Sequence, residues 1–142
     1  MKIGLYSELA RQHIVKMREE IQQLNTETDH IGMKRFRNGV IRSKAPHHQL
    51  IISSPDFHSM GSLRDLLFHV QEHRFTIPQI QHCLTKLGLK FCGFEVGTIT
   101  QDFKRTNSGE DDAYDLIKWH AYEQAHPHAF AGMYQFWCQK VG

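Results

Sequence analysis

A short run of the chain, residues 64–76, mixes charged and apolar side chains in an unusual proportion. It carries six ionisable side chains and five large apolar ones. A solvated surface helix seldom has so much apolar surface. A buried helix seldom has so many charges, because an unpaired buried charge is costly. The mixture is therefore typical of a segment that forms the wall of a binding site.

Three residues of this run, His69, Glu72 and His73, match the H-x-x-E-H spacing of a zinc-protease signature. On a helix the two histidines would share one face and could bind a metal, with the glutamate as general base. A third ligand could come from His120 or Glu123. The same side chains could instead line a substrate pocket. Because the chain has eleven histidines, such spacing arises readily by chance, so the pocket is favoured and no metal is expected.

Other side chains are candidates for contacts with a substrate. Arg74 could bind a carboxylate or a phosphate. Tyr6 and Glu8 lie where a predicted strand ends and a helix begins, and ligands bind at this edge of open α/β sheets. Glu8 could equally be only a negative charge at a helix start. The predicted substrate-binding set contains Tyr6, Glu8, His69, Glu72, His73 and Arg74, whereas no catalytic residue is assigned.

Size and composition favour one globular domain spanning residues 1–142. The net charge of +2 is too small to indicate nucleic acid or an anionic membrane as a partner. No apolar run has the length of a membrane span. The three cysteines, Cys83, Cys92 and Cys138, lack metal-ligand spacing and fit the reduced thiols of a cytoplasmic protein.

The order of predicted elements favours an α/β fold, because strands alternate with helical segments. Strands are predicted at residues 1–6, 89–96 and 131–140. Helices are predicted at residues 8–24, 33–41, 62–72, 76–88 and 113–125, and loops at residues 43–49 and 98–112. Three strands would leave two exposed sheet edges, so part of the sheet is expected to be missing.

Four segments together resemble a known family. They are residues 2–10 (KIGLYSELA), 53–57 (SSPDF), 64–76 (RDLLFHVQEHRFT) and 132–138 (GMYQFWC). These segments resemble the C-terminal part of class I S-adenosylmethionine-dependent methyltransferases, closest to the bacterial group often joined to tetratricopeptide repeats. The resemblance implies an incomplete Rossmann-like sheet of three strands with flanking helices. Its last strand, residues 132–140, would run antiparallel between the other two.

The resemblance also implies what this chain lacks. Methyltransferases of this class bind the cofactor with a glycine-rich turn after the first strand and an acidic residue after the second, and neither motif is present. We therefore expect the substrate-side part of a methyltransferase, inactive and without bound S-adenosylmethionine when alone. Its partner would be the missing half or a second copy, and its methyl acceptor a small molecule or a peptide. The alternatives are an α/β partner-binding or self-associating module and a metal-dependent hydrolase using the H-x-x-E-H cluster.

Overall fold

The structure, a computed structural model, describes residues 1–68 and 71–142. The chain forms two compact units. The sheet unit consists of Met1–Ala10 and His73–Gly142, and the helical unit consists of Arg11–Glu72. The expectation of a single domain over residues 1–142 stays a prediction.

The elements of the described residues follow one another along the chain with short connections. The strands are β1 (Lys2–Ser7), β2 (Arg74–Phe75), β3 (Leu89–Phe94) and β4 (Tyr134–Lys140). The α-helices are α1 (Gln12–Gln23), α2 (His30–Arg42), α3 (Pro46–Ile52), α4 (Met60–Leu63), α5 (Ile77–Lys86), α6 (Thr98–Thr106) and α7 (Leu116–Ala125). Short 3₁₀ turns lie at Pro55–Phe57 and Asp112–Tyr114, and a π-type turn at Arg64–Phe68.

The four strands form one mixed sheet in the order β2-β1-β4-β3. β4 runs antiparallel to both β1 and β3, whereas β2 is parallel to β1. The predicted α/β class is confirmed, and so is the predicted position of the last strand between the other two. The predicted count of three strands is wrong. Arg74 and Phe75 form a fourth strand, which is too short to show an alternating sequence pattern.

An aromatic core holds the helices of the sheet unit on the sheet. The rings of Phe103 and Trp119 stack with centroids 3.7 Å apart and planes within 10°. Phe94 meets Trp119 edge to face at 4.8 Å. Such ring pairs add about 0.5–1.5 kcal/mol beyond the area they bury. The core therefore fixes α6 and α7 against β3.

The helical unit has an apolar core of its own. α1 buries Ile14, Met17 and Ile21, a spacing of three and four residues that forms one helix face. These residues cluster with buried Val40 of α2 and Ile51 of α3. The buried stripe of α1 therefore organises the unit.

Several predicted boundaries are wrong. The predicted helix at residues 62–72 is α4 followed by the π-type turn, and His69 and Val70 lie outside the described residues. The predicted loop at residues 98–112 contains α6, and the predicted loop at residues 43–49 contains the start of α3. α6 and the first turn of α3 were missed because these segments are polar and few of the residues of either helix are buried.

Among the described residues, no helix combines the length and the apolar character needed to cross a membrane.

Candidate functional site

The candidate site lies in the sheet unit, where the parallel strands β1 and β2 end. Tyr6 pairs with Arg74, and Ser7 pairs with Phe75. The Glu8 N–H donates a 2.9 Å hydrogen bond to the Phe75 carbonyl, which extends the pairing by one residue. The carboxyl ends of parallel strands are where open α/β sheets bind ligands. The register therefore brings three predicted site residues, Tyr6, Glu8 and Arg74, to one edge.

Two of these residues form a partly exposed ion pair. Arg74 Nε donates to Glu8 Oε2 at 3.0 Å, and the side chains of Arg74 and Glu8 are 24% and 41% exposed. A pair this exposed contributes little to stability. The Arg74 guanidinium can bind a carboxylate or a phosphate, and the Glu8 carboxylate can accept a hydrogen bond from an amine. The pair is therefore suited to holding a charged group of a ligand.

A buried polar network lies directly behind this edge. The side chain of Glu123, from α7, is only 1% exposed. Its Oε1 atom accepts a 2.7 Å hydrogen bond from Ser7 Oγ and another of 2.7 Å from Tyr134 Oη. The Ala10 N–H in turn donates to Ser7 Oγ at 3.1 Å. The network ties the end of β1 to α7 and β4, so the backbone beside Tyr6 and Glu8 is held in place.

The protonation of Tyr134 follows from its surroundings. Burial raises the pKa of the Tyr134 hydroxyl far above its ordinary value, and the hydrogen bond to the Glu123 carboxylate raises the pKa further. The phenol is therefore protonated at every physiological pH and acts as a permanent donor. In the sheet unit it donates one of the hydrogen bonds that the buried Glu123 carboxylate needs.

A cavity of about 470 Å³ lies beside β2 and the start of α5. Its lining includes His73 and Arg74, both predicted site residues, together with His82 and Cys83. The start of α5 is well fixed: Thr76 Oγ1 accepts from the Gln79 N–H at 3.3 Å, and Pro78 lies in the first turn. This cap confirms the predicted start of the helix. It gives the cavity one rigid wall.

Glu72, another predicted site residue, belongs to the helical unit. Its carboxylate receives two hydrogen bonds from Arg11, of 2.8 and 2.6 Å, and one of 3.2 Å from Arg18. Burial alone would raise the pKa of Glu72, but the two guanidinium groups outweigh that effect and the pKa lies below its usual value. The contacts give Glu72 a clear structural role. Its predicted contact with a substrate stays a prediction.

The H-x-x-E-H interpretation depends on His69, which lies outside the described residues. Of its proposed additional ligands, Glu123 is the buried acceptor of Ser7 and Tyr134. Both hydrogen bonds are accepted by Oε1, and they give Glu123 a structural role inside the sheet unit. The absence of a metal at residues 69, 72 and 73 stays a prediction.

Sequence reasoning missed Ser7, Glu123 and Tyr134 as members of a polar network. A signal for Glu123 was available, because Leu116, Trp119 and Glu123 are spaced as one helix face. All three are buried on α7. A carboxylate on an apolar face predicts a buried partner, although the sequence does not say which hydroxyls supply it.

Comparison with known proteins adds no family to this description. No protein-family model matches the chain, and no curated protein matches it at a significant level. The functional assignment therefore depends on the residues and on the geometry described above.

Proposed function

We propose that the chain is the substrate-side part of a cytoplasmic S-adenosylmethionine-dependent methyltransferase, and that it works together with a separate cofactor-binding half. The observation that carries the proposal is the strand order β1-β4-β3 with a reversed central strand. The resemblance of residues 2–10 and 132–138 implies this arrangement for the end of a methyltransferase sheet. A reversed last strand inserted between two earlier ones is a specific topology, because consecutive strands are usually neighbours.

The edge of β1 supports the proposal in a second way. Among the described residues, β2 pairs with β1 only at Tyr6 and Ser7. The stretch from Lys2 to Leu5 has β4 on one side, and none of the strands in residues 1–68 and 71–142 pairs with it on the other. An unpaired stretch of strand presents unsatisfied backbone groups. A further parallel strand from a cofactor-binding half would pair with this stretch.

The Glu8–Arg74 pair supports a role in holding the methyl acceptor. Both charges lie at the carboxyl end of the strands, and both are partly exposed. The neighbouring cavity, lined in part by His73 and Arg74, offers about 470 Å³, which is within the range of small-molecule sites. A small molecule or a peptide with a charged group would fit these contacts. In this role Tyr6, Glu8, His73 and Arg74 would bind the acceptor. The predicted substrate contacts of His69 and Glu72 stay predictions.

A second candidate function is an α/β module that binds a partner or a second copy of itself. The same stretch from Lys2 to Leu5 favours it, because an exposed strand edge recruits other strands. The two candidates differ in what completes the sheet. A methyltransferase needs a glycine-rich nucleotide-binding half, whereas an interaction module needs only a strand.

The coding region upstream of Met1 tests the proposal against this alternative. We expect an in-frame strand, glycine-rich turn and helix roughly 100 residues upstream, or a neighbouring gene that encodes such a half. A coding region that has neither would contradict the methyltransferase proposal and favour the interaction module.

A further inference from the structure

Three side chains of the helical unit converge on one point between α1 and α3. Glu20 lies near the end of α1, whereas His47 and His48 lie in the first turn of α3. His47 Nε2 is 2.5 Å from Glu20 Oε1, and His48 Nε2 is 2.6 Å from Glu20 Oε2. The two imidazole rings have centroids 4.3 Å apart. Neighbouring residues of a helix normally point in different directions, so this convergence of adjacent histidines is specific.

The convergence is fixed by the packing of the two helices. α1 and α3 bury Ile21 and Ile51 in one apolar cluster. Pro46 occupies the first turn of α3 and sets its backbone for the helix. Glu20 and both histidines are half-buried. The three side chains are therefore held by neighbouring structure and are not long surface chains that meet by accident.

We propose that Glu20, His47 and His48 bind a divalent transition-metal cation, with zinc as the reference ion. One ligand atom from each side chain, the imidazole nitrogens and a carboxylate oxygen, lies within 4.8 Å of the others. Around zinc, bonds of about 2.0–2.2 Å place such atoms roughly 3.4 Å apart. The present distances between the imidazole nitrogens and the carboxylate oxygens would lengthen by less than about 1 Å to admit the ion. On binding, the proton on each Nε2 would move to Nδ1, so that both imidazoles stay neutral and the ion takes the place of that proton beside the carboxylate.

The charge and type of the ligands agree with this cation. Two neutral imidazoles and one carboxylate give a site of charge −1, which suits a divalent ion. Two histidines and one glutamate are a common ligand set of zinc sites that keep a fourth position open. Calcium and magnesium, which prefer oxygen ligands, are disfavoured.

A neighbouring cavity gives the fourth position a role. A cavity of about 440 Å³ is lined by Glu20 and His48 together with Arg35 and Phe36 of α2. Two of the three ligands thus line a space that is large enough for a small molecule. The Arg35 side chain supplies a positive charge in the same lining. We infer that the fourth position of the metal takes water or a small anion from this cavity.

Zinc titration of the full chain tests the site. The chain is first stripped of metal with a chelator and then titrated with zinc in competition with a chromophoric chelator. We expect one tightly bound zinc ion per chain. His47→Ala, His48→Ala and Glu20→Gln should each weaken binding by at least about 100-fold, since even the loss of an outer partner costs about 10–100-fold. Unchanged tight binding in these variants would overturn the proposal, as would the absence of tight binding in the original chain.

Two control variants separate this site from the other histidines. His30→Ala removes an exposed histidine from the first turn of α2. It should leave zinc affinity unchanged. His69→Ala/His73→Ala removes the H-x-x-E-H histidines and should also keep the tight zinc. Loss of the tight zinc in that double variant, with retention in His47→Ala, would assign the metal to residues 69–73 and reject this site.

Cobalt absorption keeps the proposal testable if the ligand variants fail to fold. The original chain loaded with one equivalent of cobalt should show visible bands of a tetrahedral site with nitrogen and oxygen ligands. Bands typical of six-coordinate cobalt bound by water would contradict the site. Far-ultraviolet circular dichroism of each variant shows whether a loss of zinc reflects a lost ligand or a lost fold.

Discussion

Within the sheet unit, the Glu123 carboxylate receives hydrogen bonds from two hydroxyls whose residues are as buried as its own. Deleting it leaves Ser7 and Tyr134 without this acceptor. An unsatisfied buried donor costs about 1–3 kcal/mol. The effect of a substitution at Glu123 therefore depends on whether the new side chain can still accept these hydrogen bonds.

Glu123→Ala should lower the free energy of unfolding of the sheet unit by about 3 kcal/mol or more, from the lost acceptor and the cavity left behind. Glu123→Gln keeps an acceptor oxygen and should cost only about 1 kcal/mol. Urea unfolding followed by tryptophan fluorescence measures both values, because Trp119 and Trp137 lie in the sheet unit.

Exposed Gln124 is the matched control on the same helix. Gln124→Ala should change the free energy of unfolding by less than about 0.5 kcal/mol. If Glu123→Ala lost as little stability as Gln124→Ala, the network would be refuted.

Glu72 has a comparable role in the helical unit, where its side chain is 7% exposed and bonded to Arg11 and Arg18. Because its pKa lies below the usual 4.5 in the folded chain, the unfolded chain binds the proton more readily. The stabilisation is therefore complete above about pH 4.5 and is lost as the pH falls through the lowered pKa.

Glu72→Gln should destabilise the helical unit by about 3 kcal/mol near neutral pH, since it leaves two guanidinium groups without their carboxylate. The difference from the original chain should shrink as the pH falls below about 4.5. Amide hydrogen exchange of α1, compared between variants at each pH, measures the difference. Glu19→Gln is the control at an exposed position of α1. Its hydrogen exchange should match that of the original chain at every pH. A difference for Glu72→Gln that stays constant with pH would rule out the ionised pair.

At the scale of elements, the sequence predicts those segments best that combine a clear apolar pattern with end signals. α5 was predicted to within two residues because Thr76 caps it and Gly88, at φ +63°, ends it. α6 was missed because only Thr100 and Phe103 are buried in it. The helical period is present, since Ile99 and Phe103 lie four residues apart, but the polar composition of the segment outweighed it in the prediction.

The candidate site was predicted only in part, for a related reason. Tyr6, Glu8 and Arg74 follow from strand ends and charge type, both of which are local features. The partnership of Glu123 with Ser7 joins positions 116 residues apart. No local pattern encodes which buried hydroxyl meets which carboxylate, because that depends on how the elements pack.

β3 contains an irregularity that makes a further prediction. The register of β3 against β4 shifts between Phe91 and Phe94, and Gly93 within it has φ +104°. A Cβ at Gly93 would lie 3.6 Å from the Tyr114 ring, which is an ordinary contact. The cost of Gly93→Ala is therefore backbone strain, about 1–3 kcal/mol.

The midpoint of urea unfolding should fall for Gly93→Ala. Gly39→Ala is a control for which the opposite effect is expected. Gly39 lies within α2, and a Cβ there meets no atom within 4 Å. This substitution should raise the free energy of unfolding by about 0.5–1 kcal/mol. A rise in the midpoint for Gly93→Ala would contradict the positive φ at that position.

At the scale of the molecule, the outer side of β1 from Lys2 to Leu5, with which no strand of the described residues pairs, predicts self-association of the chain. Met1 exchanges backbone hydrogen bonds with Cys138 of β4. The alternation along a strand therefore turns the Lys2 N–H toward the outer edge. Sedimentation velocity should show an average mass that rises with concentration.

A matched pair of variants tests whether that edge is the contact. Lys2→Ala removes the side chain that pairs with Glu95 but keeps the N–H, and should still associate. Lys2→Pro removes the N–H at a position where a strand tolerates proline, and should associate less. A chain that stays monomeric at high concentration would contradict the open edge, and equal association of the two variants would place the contact elsewhere.

Calorimetric titration with S-adenosylmethionine tests the central claim most directly. It is applied to the 142-residue chain alone and to the same chain together with the cofactor-binding half encoded upstream or nearby. For the chain alone we expect no saturable binding tighter than a Kd of about 1 mM, or about 4 kcal/mol of binding free energy. For the combination we expect saturable binding. Saturable binding by the chain alone, or none by the combination, would contradict the proposal that this chain is the substrate-side part of a methyltransferase.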